Sequence, residues 1–190
     1  MNTYRADGHP VFALQPFVEA AGVEAVERPH TGVRAIIGQM INIGAAGPCA
    51  KSKRVAAVVD ELCQLTPVIA VNGPPGRFTC GRDDECRKAC GRICVHAEER
   101  ALLQASARRP MGFDPLWRLH VLHLHVIDGE PVPSRSASCE TCSRKMLEFG
   151  IHSMWLFLES GWRRWSAEDF HLDTLKNLGL PHKLGKERRP

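Results

Sequence analysis

Two short stretches, "CVHAEERAL" at 94–102 and "SCETC" at 138–142, constrain the fold of this 190-residue chain more than any other feature in it. Each reads as the start of a helix. Cys139 and Cys142, spaced i, i+3, put two sulfurs on one side of a first turn. The partial positive charge of a helix N-terminus favours the thiolate there. His96 and Glu98, two apart, diverge by roughly 200° on a helix, so they converge only on something seated off the helix end. One shared ion would draw both helix N-termini to a single point. Any fold that satisfies this must join side chains more than 40 positions apart.

Two thiolates and one imidazole make three zinc ligands and leave a fourth position open, which is the pattern of a catalytic rather than a structural zinc. In this reading His96, Cys139 and Cys142 hold the metal and Glu98 contacts its water. Zinc lowers the pKa of that water toward about 7. Glu98 takes a proton from it, and the hydroxide attacks a ring carbon that bears an amino group. The same carboxylate then returns protons to the ring nitrogen and to the departing ammonia. The competing reading is an unrelated metal knuckle, or buried reduced thiols.

The rest of the chain supplies a frame for two such helices. "GVRAIIGQMINIGAA" places Val33, Ile36, Ile37, Met40 and Ile41 at helical spacing and predicts a buried helix. "KRVAAVVDEL" and "TPVIAVNGPPG" are short β-branched runs, read as neighbouring strands, with strong turn chemistry at the exit of the second. "LWRLHVLHLHVID" alternates as a third strand, "DGEPVPSRSAS" reads as a loop, and "CETCSRKMLEFGI" as a helix closed by Gly150. "SMWLFLES" is a fourth strand. "SAEDFHLDTLKNLGL" opens with a capping box, Ser166 to Asp169, and offers Phe170, Leu175 and Leu178 as a core face. Strands alternating with helices imply a sheet covered on both faces.

Composition narrows the function classes. With 44% apolar and 24% charged residues the chain suits one globular domain. No apolar run approaches the roughly 20 residues that span a bilayer, and "MNTYRADGHP" lacks a secretory layout, so a cytoplasmic protein without membrane partners is expected. Eight cysteines in a reducing compartment point to metal or catalysis rather than disulfides. The net charge of +4 is concentrated in "HKLGKERRP" at 182–190, which carries +3 of it and reads as a basic tail. The body has no broad surplus for binding phosphate backbones.

"HAE" followed by "CETC", in this order of strands and helices, resembles the zinc-dependent cytidine deaminase superfamily. "CAKSKRVAAVV", "AVNGPPG" before a cysteine-containing loop, and "CVHAEERAL" are similar to its deoxycytidylate deaminase branch. The resemblance spans roughly residues 32–180. It implies a three-layer α/β/α sandwich with a five-stranded mixed sheet, and a homo-oligomer. It divides the chain into an extension at 1–31, a deaminase domain at 32–181 and the tail at 182–190. It assigns zinc to His96, Cys139 and Cys142 and acid/base work to Glu98. It sets Asn72 against a sugar, the Ala97 amide against a ring carbonyl, and the Ser138 carbonyl against the amino group. Two departures stand out. Ser138 replaces the usual proline, and 40 residues separate Glu98 from Cys139, leaving room for an insertion around 105–118.

Cys80, Cys86, Cys90 and Cys94 form a candidate second, structural metal site, and the resemblance also places a metal near this loop. If 86–94 were one straight helix, Cys86 and Cys94 would lie roughly 12 Å apart, too far for two Zn–S bonds of about 2.3 Å. Either Gly91 breaks the helix or a subset binds, with a histidine or Cys49 added; the alternative is small buried hydrophobes. Cys63 reads as packing. His123 and His125 share one strand face and His120 takes the other, as packing or rim residues. "GWRRWS" either caps a core, borders an oligomer interface or stacks bases of single-stranded nucleic acid. Arg77, Arg82, Arg87 and Lys88 are candidates for a 5′-phosphate.

The expected activity is therefore hydrolytic deamination of a cytosine-type base to uracil on a free nucleoside or nucleotide. One alternative is the same chemistry on a base within RNA or single-stranded DNA. The other, of a different class, is a zinc-stabilised binding module without catalysis.

Overall fold

The computed structural model describes residues 31–61, 66–108, 118–137 and 139–180. Residues 1–30 of the expected extension at 1–31, the tail at 182–190, Cys63, Ser138 and residues 109–117 lie outside the described residues. Helix α1 runs Thr31–Ala45, then β1 (Lys53–Asp60), β2 (Val68–Val71), α2 (Asp84–Ile93), α3 (Ala97–Arg108), β3 (Leu119–Ile127), β4 (Glu130–Val132), α4 (Glu140–Glu148), β5 (Ser153–Leu158), β6 (Gly161–Ser166) and α5 (Ala167–Asn177).

One mixed sheet carries the strands in the order β2-β1-β3-β5-β6, with β4 paired to β3 beside that path. Among the described strands only β3 and β5 pair in parallel; β1 is antiparallel to both β2 and β3, and β6 to β5. Alternation along each strand splits the core into two layers. Val55, Ala57 and Val59 of β1 and Leu122, Leu124 and Val126 of β3 pack with Ile36, Ile37 and Met40 of α1. Ala56 and Val58 of β1 and Val121 of β3 face the other way, onto Ala101 and Leu102 of α3, Met146 of α4 and Phe170 of α5. The result is the three-layer α/β/α arrangement. Only one face of α1 is buried, since Ile43 is exposed. Its close seat depends on Gly44, where a Cβ would meet Val126 Cγ2 at 2.8 Å.

Several expectations need correction. "GWRRWS" is strand β6, which completes the five strands of the main path, and β4 adds a sixth beside it. Trp162 and Trp165, three apart, sit on opposite faces, and each is only 7% exposed; both are core side chains and offer no ring for base stacking. The loop after β3 contains β4, whose register with β3 pairs His125 with Val132. This hairpin and the segment after it take up part of the long Glu98–Cys139 interval. The cysteine segment forms α2, capped by Asp83, whose side chain accepts the Cys86 N–H at 2.7 Å. The core face of α5 is Ala167, Phe170, His171 and Thr174, a spacing of 3, 4 and 7, while Leu178 is exposed. The capping box there forms as read: Ser166 Oγ accepts the Asp169 N–H at 3.0 Å. Gly150, at φ +65, closes α4.

Strands β2, β3 and β5 run in one direction. α3 begins beside the exit of β2, held by the bridge in which Gly73 and Val95 exchange both N–H···O bonds. In an open α/β sheet the crevice outside the strands' carboxyl ends is where ligands bind.

Candidate active site

Cys139 is the N-cap of α4, and its sulfur accepts the Cys142 N–H at 3.3 Å. Cys142 lies one turn in and is fully buried. His96 immediately precedes α3. Its Nδ1 stands 3.1 Å from Cys139 Sγ and 3.2 Å from Cys142 Sγ. The two helices are tied further by the ion pair of Lys145 with Glu99. Arg100 donates to the Gly73 and Pro74 carbonyls at 2.9 and 2.7 Å, fixing α3 to the turn after β2.

Among the described residues, His96, Cys139 and Cys142 are the one group of three or more such side chains whose ligand atoms all lie within 4.8 Å of one another. One imidazole nitrogen and two sulfurs are the donor set that suits zinc, and their close approach fits the group. The Cys139 thiol is lowered to about 5 by donation from Cys142, then by His96 and the Cys142 backbone amide, against the opposing effect of burial. Its hydrogen bond to the Cys139 sulfur and burial raise Cys142. Cys139 in turn raises His96 to about 9.

Beside this trio lies a cavity of about 690 Å³, lined by His96, Ala97, Glu98, Asn72 and Cys139. Glu98 is buried in the first turn of α3. Burial pushes its carboxyl up, but the neighbouring His123, by charge and by hydrogen bond, outweighs this and holds it at about 2. That pairing favours the ionised carboxylate.

A dCMP deaminase from the cyanophage S-TIM5, solved in complex with dCMP and dUMP, matches this structure at TM-score 0.51 and 16% identity over 80% of this chain and 96% of its own. The chain has the cytidine deaminase-like fold. The apo form of the same phage enzyme and a cytidine deaminase from Burkholderia pseudomallei match at TM-score 0.44 each, with 16% and 20% identity, over 66% and 70% of this chain and 82% and 93% of theirs. No protein-family model and no curated protein matches the chain.

Within this deaminase-like fold the remaining expected residues fall as follows. Asn72 lines the cavity but its amide is engaged by β1: Oδ1 accepts the Arg54 N–H at 2.8 Å and Nδ2 donates to the Ser52 carbonyl at 2.9 Å. Ala97 is fully buried at the start of α3. Of the cations, Lys51, Arg54 and Arg135 line the cavity, whereas Arg77, Arg82, Arg87 and Lys88 do not. Cys80, Cys86, Cys90 and Cys94 do not converge as one set. Cys80 Sγ meets Cys86 Sγ at 3.6 Å, and Cys90 Sγ meets Cys49 Sγ at 3.6 Å. The Cys80 thiol is lowered first by the backbone at Ala50, which places it beside Cys49.

Arg54, Arg135 and the pairing of His123 with Glu98 escaped the sequence reading. The shared face of His123 and His125 is legible by alternation, but the helix that covers that face is not.

Proposed function

We propose that this protein is a zinc-dependent hydrolytic deaminase of a cytosine-type base carried on a small nucleotide or nucleoside. The carrying observation is the approach of His96 Nδ1 to two cysteine sulfurs at 3.1 and 3.2 Å in a cavity that also holds the ionised Glu98. His96, Cys139 and Cys142 hold the zinc, which when bound acidifies a water toward a pKa of about 7. Glu98 takes one proton from the attacking water and passes it to the ring nitrogen. As the carbon–oxygen bond forms, the same carboxylate moves the second proton to the exocyclic amine. The carbon–nitrogen bond then breaks with its electron pair on nitrogen, and ammonia leaves. Both water protons are thereby accounted for, one on the ring and one on ammonia. Ala97 contributes its backbone amide toward the ring carbonyl, Ser138 its carbonyl toward the amine, and Asn72 a sugar contact.

The lining favours an anionic substrate. Lys51, Arg54 and Arg135 face a cavity whose lining residues include one carboxylate, Glu98. Burial draws the Arg54 guanidinium below the ordinary arginine range, with Glu98 opposing. A charge so desolvated gains from an anion, which points to the nucleotide over the nucleoside. Met154, Leu156 and Phe170 give the cavity an apolar side for a base.

A second, structural metal fits the α2 cysteines best with Cys49 added. Sulfurs held by zinc at about 2.3 Å sit about 3.8 Å apart in a tetrahedron, close to the 3.6 Å of the pairs Cys49–Cys90 and Cys80–Cys86. The proposal therefore adds Cys49 to the α2 cysteines, where Cys90 also meets Cys94. No described helix is long and apolar enough to cross a membrane; a cytoplasmic homo-oligomer remains part of the proposal.

The test is ammonia release from cytidine, deoxycytidine, deoxycytidylate, adenosine, guanine and a single-stranded oligonucleotide, with zinc per chain measured on the same sample. Deoxycytidylate is expected to turn over fastest, and Arg54→Ala to raise KM for the nucleotide at least about 10-fold while leaving the nucleoside unchanged, the scale of one lost charged contact. Bound zinc with no ammonia from any substrate sinks the catalytic reading. Turnover of the oligonucleotide alone transfers it to nucleic acid.

A further inference from the structure

Glu98 does not stand alone in its cavity. His123 reaches it from the sheet, with Nδ1 at 2.6 Å from Glu98 Oε1. β3 sets His123 between Ala56 of β1 and Leu156 of β5, on the strand face that carries α3. The two side chains are 12% and 6% exposed, so the contact is shielded from water. The other imidazole nitrogen, Nε2, is buried and has no hydrogen-bond partner among the described residues.

At that distance the imidazole Nδ1–H is the donor and the carboxylate oxygen the acceptor. Donation there ties up Oε1 and leaves Oε2 as the oxygen free for proton transfer. A glutamate in the first turn of a helix has three rotatable bonds, and within α3 its carboxylate meets its own backbone N–H. The imidazole restrains the other end from a different element. We infer that His123 is a positioning residue for Glu98: it clamps one carboxylate oxygen so that the other faces the trio of His96, Cys139 and Cys142. In this role it acts through Glu98. The inference rests on the deaminase reading for its catalytic consequence, but not for the pairing itself.

Proton transfer needs the carboxylate within hydrogen-bond reach of its target, and a misplacement of about 1 Å costs on the order of 10²-fold. In the zinc-loaded full chain, His123→Leu keeps bulk and removes the donor; His123→Asn restores an N–H near the place of Nδ1. His123→Leu is expected to lower kcat about 10- to 100-fold, with KM and zinc per chain unchanged. His123→Asn should recover most of that loss. In a Glu98→Gln background, His123→Leu should cause no further loss, because His123 acts through Glu98. Equal losses in the Leu and Asn variants, a further loss in the Glu98→Gln background, or lost zinc would each overturn the assignment.

A second readout does not need turnover. The Nδ1 proton of His123 should give a downfield imidazole resonance in the wild-type chain that moves upfield in Glu98→Ala. This also keeps the test decisive where the Leu variant does not fold. The resonance without ammonia from any substrate supports the clamp and sinks deamination; turnover without the resonance does the reverse.

Discussion

The described thiols form two groups that differ in what surrounds the sulfur. Cys139 and Cys142 open a helix whose inner face is core: Cys142, Ser143 and Met146 are fully buried. Their third partner, His96, arrives from another helix, and a cavity with a carboxylate adjoins them. The group of Cys49, Cys80, Cys86, Cys90 and Cys94 gathers around α2, and of these five Cys49 and Cys90 are buried. Its sulfurs meet in pairs, and among the described residues no three of them lie within 4.8 Å of one another. The thiol chemistry follows. Cys139 is drawn down to about 5, whereas burial, then Cys49 and Cys94, push Cys90 up to about 12. A helix N-terminus and a neighbouring imidazole make a ligand poised beside open space, while thiols crowded against one another make a closed clasp. Residue type is shared; the tertiary neighbours decide the use.

The sharpest way to break this contrast is to remove one sulfur from each group. Cys142→Ala is expected to lose one zinc equivalent and bring turnover below detection, while Glu98→Gln keeps the zinc and loses turnover about 10²- to 10⁴-fold. Cys86→Ala should also lose one zinc equivalent, lower Tm, and leave kcat within about threefold, as a structural metal predicts. Zinc per chain and ammonia release, read together on the three variants, decide the matter. A wild-type chain with one zinc removes the second metal, and loss of turnover in Cys86→Ala merges the two groups into one function.

A smaller effect compares the helices as platforms. Met146→Ala removes a fully buried side chain beneath Cys142 and should cost about 2–5 kcal/mol in chemical denaturation. Arg87→Ala on exposed α2 should stay within about 0.5 kcal/mol. Similar costs for both would mean that α2 is as integral to the core as α4.

pH offers a probe common to both groups. His120 is buried on the face of β3 opposite His123, and its Nδ1 meets Ser153 Oγ at 2.7 Å. Burial, aided by Arg164, lowers it from 6.5 to about 3. The folded state holds it neutral while the unfolded chain takes up a proton near 6.5. Its stabilising contribution is therefore complete above that pH and declines as pH falls toward 3. By pH 5 the loss amounts to about 2 kcal/mol. Tm measured at pH 7 and pH 5 should fall less in His120→Gln than in wild type, with the same difference in the Cys142→Ala and Cys86→Ala backgrounds. A difference that depends on the background would tie the thiol groups to the core beneath them.

The sequence by itself determined the local pieces. Helix starts at Cys139 and Ser166, the Gly150 stop, the β-branched run of β1, the alternation of β3 and the i, i+3 spacing of Cys139 and Cys142 all depend on neighbours within about four residues. That is why the motif residues were legible before any fold. Strand β6 was not, because Trp162 and Trp165 both bury, on opposite faces, and so erase the two-residue period. α2 was not, because its outer positions are polar and its only buried side chain is a cysteine. Tertiary structure alone decided which side chains meet across long separations: Cys49 with Cys90, 41 positions apart, Arg54 in the cavity wall, and His123 against Glu98, 25 positions apart. Those meetings are set by strand order and by which sheet face α3 covers. No spacing along the chain encodes either one.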